Sequence, residues 1–140
     1  NILEITQIDH QNLAFDITEY GLMQQTDAVL ATLEQLKRYQ IMVSIDDFGT
    51  GYSSLSYLYS LKIENLKIDR SFIRQMNSTT KGLKVIKAIV NLAHELGMTV
   101  TAEGVENSVQ LATLETLGCE YMQGYLWGRP ADGKTITAQL

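Results

Sequence analysis

The sequence predicts an α/β fold built on a parallel sheet, and three observations lead there. Five short apolar or β-branched runs read as strands: residues 12–17 (NLAFDI), 41–45 (IMVSI), 65–68 (NLKI), 98–102 (MTVTA) and 119–122 (CEYM). Amphipathic stretches with helical periodicity lie between them. Strand then helix recurs at intervals of about 20 to 35 residues, the spacing of right-handed βαβ units and hence of parallel strands.

Taken in order, residues 1–9 carry Ile2, Leu3, Ile5 and Ile8. That pattern fits the tail of a helix, the preferred reading, or a strand. After the first strand, Thr26 and Asp27 supply capping residues, and Val29, Leu30, Leu33, Leu36 and Tyr39 follow on one apolar face. Lys81 to Leu96 forms the next helical pattern, with Leu83, Ile86, Ile89, Val90, Ala93 and Leu96 inward and Gly97 as its stop. Asn107 or Ser108 caps a helix whose inward residues are Leu111, Leu114 and Leu117, ending at Gly118. Pro130 is the single proline, and residues 131–140 read as a loop and the start of a helix. There is no solenoid-type repeat, low-complexity segment or linker.

Bulk properties bound the function. A chain of 140 residues, 45% hydrophobic and 19% charged, is an ordinary globular domain with enough length for a core. A net charge of -5 provides no cationic field for a nucleic acid polymer, so a phosphate ligand needs help from a metal ion. Cys119 is the sole cysteine, which excludes an internal disulfide and a cysteine-based zinc cluster and fits a reducing, cytoplasmic compartment. No apolar run reaches membrane-spanning length and no signal peptide is visible, so no membrane contact is expected within this segment. The chain starts at Asn1 without an initiator Met, as a piece of a longer protein would.

Polar residues gather where the strands stop. The first strand carries Asp16 and leads to Glu19; the second ends at Asp46 and Asp47; the third holds Lys67 and ends at Asp69. The fourth ends at Glu103, with Glu106 nearby, and the fifth at Gln123. In a parallel α/β sheet or barrel these ends share one rim, where active sites sit. Recurring acids there suit hard cations such as Mg²⁺ or Mn²⁺, and one aspartate pair can bridge two metals.

Each residue also has a plainer reading. Asp69 can cap the next segment, Glu103 beside Gly104 can be a turn acid, and Glu19 can be a first-turn helix acid. Glu106 reads as first-turn decoration. Lys67 inside a strand costs free energy unless paired, so a functional or ion-paired lysine is expected. His10, His94 and Cys119 read as surface or packing residues, and Tyr52, Tyr57 and Tyr59 as packing groups. Asp47-Phe48-Gly49 spells the kinase metal tripeptide without its companion motifs, and Gly49-Thr50-Gly51 begins a dinucleotide fingerprint that fails at Ser54.

Taken together, DDFGTGYSSLSYL, LKIDRSFI, TAEGVEN and GCEYMQGYLWGRP closely resemble the EAL-domain family, the cyclic di-GMP phosphodiesterases of bacterial signalling. The four motifs stand in the family's order and cover about residues 12 to 130. The resemblance implies a TIM-like (β/α)₈ barrel of which residues 1–140 are the C-terminal part, the N-terminal strands being absent. It implies two divalent cations, Mg²⁺ or Mn²⁺, and hydrolysis of cyclic di-GMP to the linear dinucleotide by the complete domain. By that analogy Asp16, Asp46, Asp47 and Glu103 are metal ligands, with Asp46 the bridge. Lys67 steadies the attacking water with Asp69 beside it, Gln123 lies near the scissile phosphate, and Glu19 anchors the loop after Asp47. Expected partners are a second copy in a homodimer or upstream sensory or GGDEF-type domains, and the parent can be the cytoplasmic part of a membrane-anchored protein.

Two departures stand out. The family's metal-binding glutamate in its E-[LI]-T-E segment is Asp16 here, one methylene and about 1.5 Å shorter. The segment with the Glu-Ala-Leu motif and the asparagine ligand after it is absent. Two function classes therefore compete. The parent is an enzyme, or it is a degenerate EAL domain that senses the dinucleotide or a protein without hydrolysing it. A response-regulator receiver also places acids and a lysine at strand ends, but its strand-end order, Glu103 and Gln123 argue against it. The piece alone is expected to show no turnover and to self-associate through open edges.

Overall fold

The computed structural model describes residues 5–24, 27–51, 58–59, 61, 63–76 and 79–138. Five parallel strands form one sheet: β1 (Ala14–Thr18), β2 (Met42–Phe48), β3 (Asn65–Ile68), β4 (Thr99–Glu103) and β5 (Tyr121–Gln123). Their spatial order is β1-β2-β3-β4-β5. Every connection steps to the next neighbour in the same direction, the winding of a barrel segment. A doubly wound sheet, such as a receiver's, reverses its order partway.

The helices are α1 (Glu19–Met23), α2 (Asp27–Arg38), α3 (Arg70–Met76), α4 (Thr80–Glu95), α5 (Ser108–Leu117) and α6 (Gly133–Thr137), with a 3₁₀ turn at His10–Asn12. Residues 5 and 6 are helical, in line with a helix tail before the first strand. Thr26, Tyr52, Tyr57, Ile2 and Leu3 lie outside the described residues. Local chemistry sets the helix ends. Asn107 caps α5 by accepting the Gln110 amide at 3.0 Å, and the Gln110 side chain accepts the Asn107 amide in return at 3.3 Å. Gly97, at φ +74°, donates to the His94 carbonyl at 2.9 Å and closes the end of α4.

Alternation along the strands divides the molecule. Ile45, Leu66, Ile68, Val100 and Ala102 face the helices, where they pack with Ile73, Ile86, Val90, Ala93 and Leu114 in the core. The opposite face is polar. There Ser44 and Asn65 are buried; Asn65 donates to Thr99 Oγ1 at 2.9 Å and accepts from Thr101 Oγ1 at 3.0 Å. Burial of the Asn65 amide is tolerated because its nitrogen and its oxygen each have a partner.

Some expected packing differs. Tyr59 is exposed rather than packed, and Leu83 stands partly open where α4 begins. In α2 no residue is fully buried: Leu33 rests on the core, while Leu30, and Tyr39 just past the helix end, are exposed. The reason is geometric. α2 packs on β2, and among the described residues no strand pairs with the outer edge of β1 beside it. His10 meets Tyr39 edge to face at 5.4 Å, Cys119 is a core residue, and His94 pairs with Glu120 at 3.0 Å.

Candidate metal centre

The pairing registers place Asp16, Ser44, Asn65 and Thr99 level with one another across four strands. Two residues further on, the same face presents Asp46 and Lys67, and at the ends of β4 and β5 Glu103 stands opposite Gln123. Period-two alternation thus delivers acids from three strands and one lysine to one mouth.

Asp47 breaks that rule. As the neighbour of Asp46 it belongs on the helix side, together with Ile45. The β2–β3 register shifts between Ile45 and Phe48, however, and Asp47 adopts φ +55°. A bulge of this kind re-aims a side chain, and aspartate tolerates the left-handed region better than most residues. Thr50 holds the turn by donating its amide and hydroxyl to the Asp47 carbonyl, at 3.2 and 2.8 Å. Carboxylate oxygens of Asp46, Asp47 and Glu103 consequently lie within 4.8 Å of one another. Two adjacent aspartates at a strand end face one point because the strand is bulged there.

Lys67 fills the space between the acids. Its Nζ lies 2.8 Å from Asp16 Oδ2, 2.8 Å from Glu103 Oε1 and 3.3 Å from Asp46 Oδ1, and its side chain is only 13% exposed. Burial works against the ammonium, but hydrogen bonds to Asp16 and Glu103 and the field of Glu103 and Asp46 overcome it, holding its pKa above the ordinary 10.5. Three carboxylates share that one ammonium, and Asp47 adds a fourth beside Asp46 and Glu103. That excess, made of oxygen donors with no His or Cys among them, matches a hard divalent cation.

Glu19 is 2% exposed and accepts the Gly49 amide at 2.9 Å, so it ties the loop after Asp47 to the start of α1. Gly49 sits at φ +92°, and a Cβ there would stand 2.7 Å from the Phe72 ring. Asp69 accepts the Ser71 amide at 3.0 Å at the start of α3. Burial opposes its charge, yet the bonds from Ser71 and Arg70 prevail and lower its pKa below 3.8. Asp16 and Asp69 are not members of the three-carboxylate group. Glu106 lies 3.5 Å from Arg74.

Residues that sequence reasoning passed over surround Glu103. Arg70, Arg74, Gly104, Gly124 and Tyr125 line a cleft of about 180 Å³ with Glu103, Glu106 and Gln123. The Arg129 guanidinium stands 4.6 Å from the Tyr125 ring centroid. The available signal was Arg70 and Arg74 four apart, one helical turn after Asp69.

A singly wound parallel α/β sheet with a carboxylate group at its rim is a barrel-type domain able to hold a divalent cation. The EAL domain family model matches residues 1–130, and the chain belongs to that family. It is 41% identical over all 140 residues to the bifunctional diguanylate cyclase/cyclic di-GMP phosphodiesterase MucR of Pseudomonas aeruginosa, covering 20% of that protein. The solved MucR phosphodiesterase in complex with c-di-GMP superimposes with a TM-score of 0.89 at 41% identity, over 96% of this chain and 54% of that one. BlrP1 of Klebsiella pneumoniae, solved with manganese and cyclic di-GMP, gives 0.83 at 29% identity, over 92% of this chain and 33% of that one. The chain spans only about a fifth of the length of the curated relatives it matches. Among the described residues no helix is long and apolar enough to cross a membrane.

Proposed function

We propose that residues 1–140 are the C-terminal part of an EAL domain whose complete form hydrolyses cyclic di-GMP to the linear dinucleotide with Mg²⁺ or Mn²⁺. The observation that carries this reading is the meeting of Asp46, Asp47 and Glu103 oxygens within 4.8 Å, with Lys67 among them. Asp46, Asp47 and Glu103 would hold the cations, with Asp46 as bridge. A divalent pair held there would acidify a water and neutralise the phosphodiester. Lys67 orients that water and offsets the negative charge that grows on phosphorus oxygens as the new P–O bond forms and the ester P–O bond breaks. Gln123, across from Glu103 at the rim, donates to the phosphate. Asp69 supports the rim by fixing the start of α3, and Glu19 keeps the loop after Asp47 in place through Gly49.

The same reading puts the parent protein in the cytoplasm or on the cytoplasmic side of an anchor. Its expected partners are a second copy or GGDEF-type and sensory domains, in keeping with MucR, which is described as bifunctional. A specific observation favours a second reading, a binding module without turnover: aspartate at position 16, where the family carries glutamate.

One experiment separates them. The full-length protein, with Mg²⁺ or Mn²⁺, is expected to convert cyclic di-GMP to the linear dinucleotide, read by chromatography. Glu103→Ala should lower the rate by at least about 10²-fold. Tight binding of the dinucleotide with no product under either metal would establish the sensor and remove the enzyme.

A further inference from the structure

We infer that Asp16 in this protein is a positioning residue for Lys67 rather than a ligand of the cation. The inference rests on the metal reading above, and it assigns this one acid a different place in it.

Three observations lead to it. Asp16 Oδ2 lies 2.8 Å from Lys67 Nζ, closer than Asp46 Oδ1 at 3.3 Å. Asp16 is also absent from the group formed by Asp46, Asp47 and Glu103, although it stands on the same face of the sheet. Finally, the register pairs Asp16 with Ser44, two residues before Asp46. Two residues of strand are ~6.6 Å, so the Asp16 backbone sits a full step below the mouth, and aspartate has the shortest carboxylate side chain. Lys67 has four methylenes and bridges the gap that Asp16 does not.

The charge arrangement gives the pairing a task. Lys67 lies between Asp16 on one side and Glu103 on the other, at 2.8 Å from each. Asp16 thereby draws the ammonium toward β1. Without it, the ammonium has only Asp46 and Glu103 as partners and competes with a cation for their oxygens. The side chain is mostly enclosed, so it has little access to water as an alternative partner.

A double-mutant cycle on Mn²⁺ affinity tests this, with free Mn²⁺ followed by electron paramagnetic resonance in titrations of the full-length protein. Asp16→Asn keeps the shape and removes the charge. With Lys67 present it should weaken Mn²⁺ binding by roughly three- to thirty-fold, inside the range of coupling between contacting groups. In a Lys67→Met background, or Lys67→Gln should the Met variant not fold, the same change should alter affinity by less than about two-fold. Circular dichroism melts confirm that the variants are folded. An Asp16→Asn loss of equal size in both backgrounds makes Asp16 a ligand and overturns the inference. No loss in either background overturns it as well. Asp46→Asn reports separately on the metal reading. If that variant binds Mn²⁺ as the parent does, the metal centre itself fails; if it loses binding, only the role of Asp16 is at stake.

Discussion

Lys67 faces Asp16, Asp46 and Glu103 from a largely enclosed position, so its charge should matter to folding as well as to chemistry. Its folded pKa is raised. The stability it contributes is therefore complete below 10.5 and is lost only as pH rises through the folded value, well outside neutral conditions. Lys67→Met leaves three acids facing one another. A fully buried pair broken in this way costs about 3–5 kcal/mol, and the half-exposure of Asp16 reduces that to about 1–3 kcal/mol at pH 7. Melting temperatures of parent and variant at pH 7 check this. A variant that melts with the parent would mean that the acids do not depend on the ammonium for their placement.

At the scale of elements, β3 was legible to the residue, because an apolar run bounded by polar turns leaves little choice of ends. The apolar pattern of β2 stops at Ile45, while the strand continues to Phe48. Alternation cannot anticipate a bulge, and two charged residues look like a turn. The bulge was thus the hidden part of the site, although both of its aspartates were legible as candidates. The short helices α1 and α3 were legible only as caps at Glu19 and Asp69, since neither is long enough to show periodicity. The sequence pattern places β5 at 119–122, whereas the strand spans Tyr121–Gln123, and what fixes its end is a close backbone approach. The Val105 amide donates to the Gln123 carbonyl at 3.1 Å, and the Leu126 amide to the Val105 carbonyl at 3.0 Å. A Cβ on Gly124 would collide with the Val105 carbonyl oxygen and nitrogen. Backbone on both sides cannot give way, so Gly124→Ala should cost about 2–3 kcal/mol. It should also move Gln123 away from Glu103. Chemical denaturation reads the first effect. Cyclic di-GMP turnover by the complete domain reads the second, which should exceed what the stability loss alone explains.

Among its described residues the molecule is a sheet with two unpaired edges. β1 has a strand on one side only, and Phe15 on it is 49% exposed; β5 closes the other end with Tyr121 at 56%. The groove between β1 and α2 is lined by Phe15, Ile17, Val29, Leu33, Leu36 and Val43, with a volume of about 300 Å³. Exposed strand edges with apolar flanks invite pairing with another chain. Within a longer polypeptide, preceding β and α elements can cover this side. Among the described residues no further strand pairs with either edge, and parallel neighbours need a crossover connection to reach one another. The isolated chain should therefore associate as its concentration rises, and extension at its N-terminus to the complete domain should reduce that association. Sedimentation velocity at several concentrations measures it. A strictly monomeric isolated chain with a sharp, cooperative melt would show that the two edges are already satisfied, and the case for a missing flank of the barrel would fall with them.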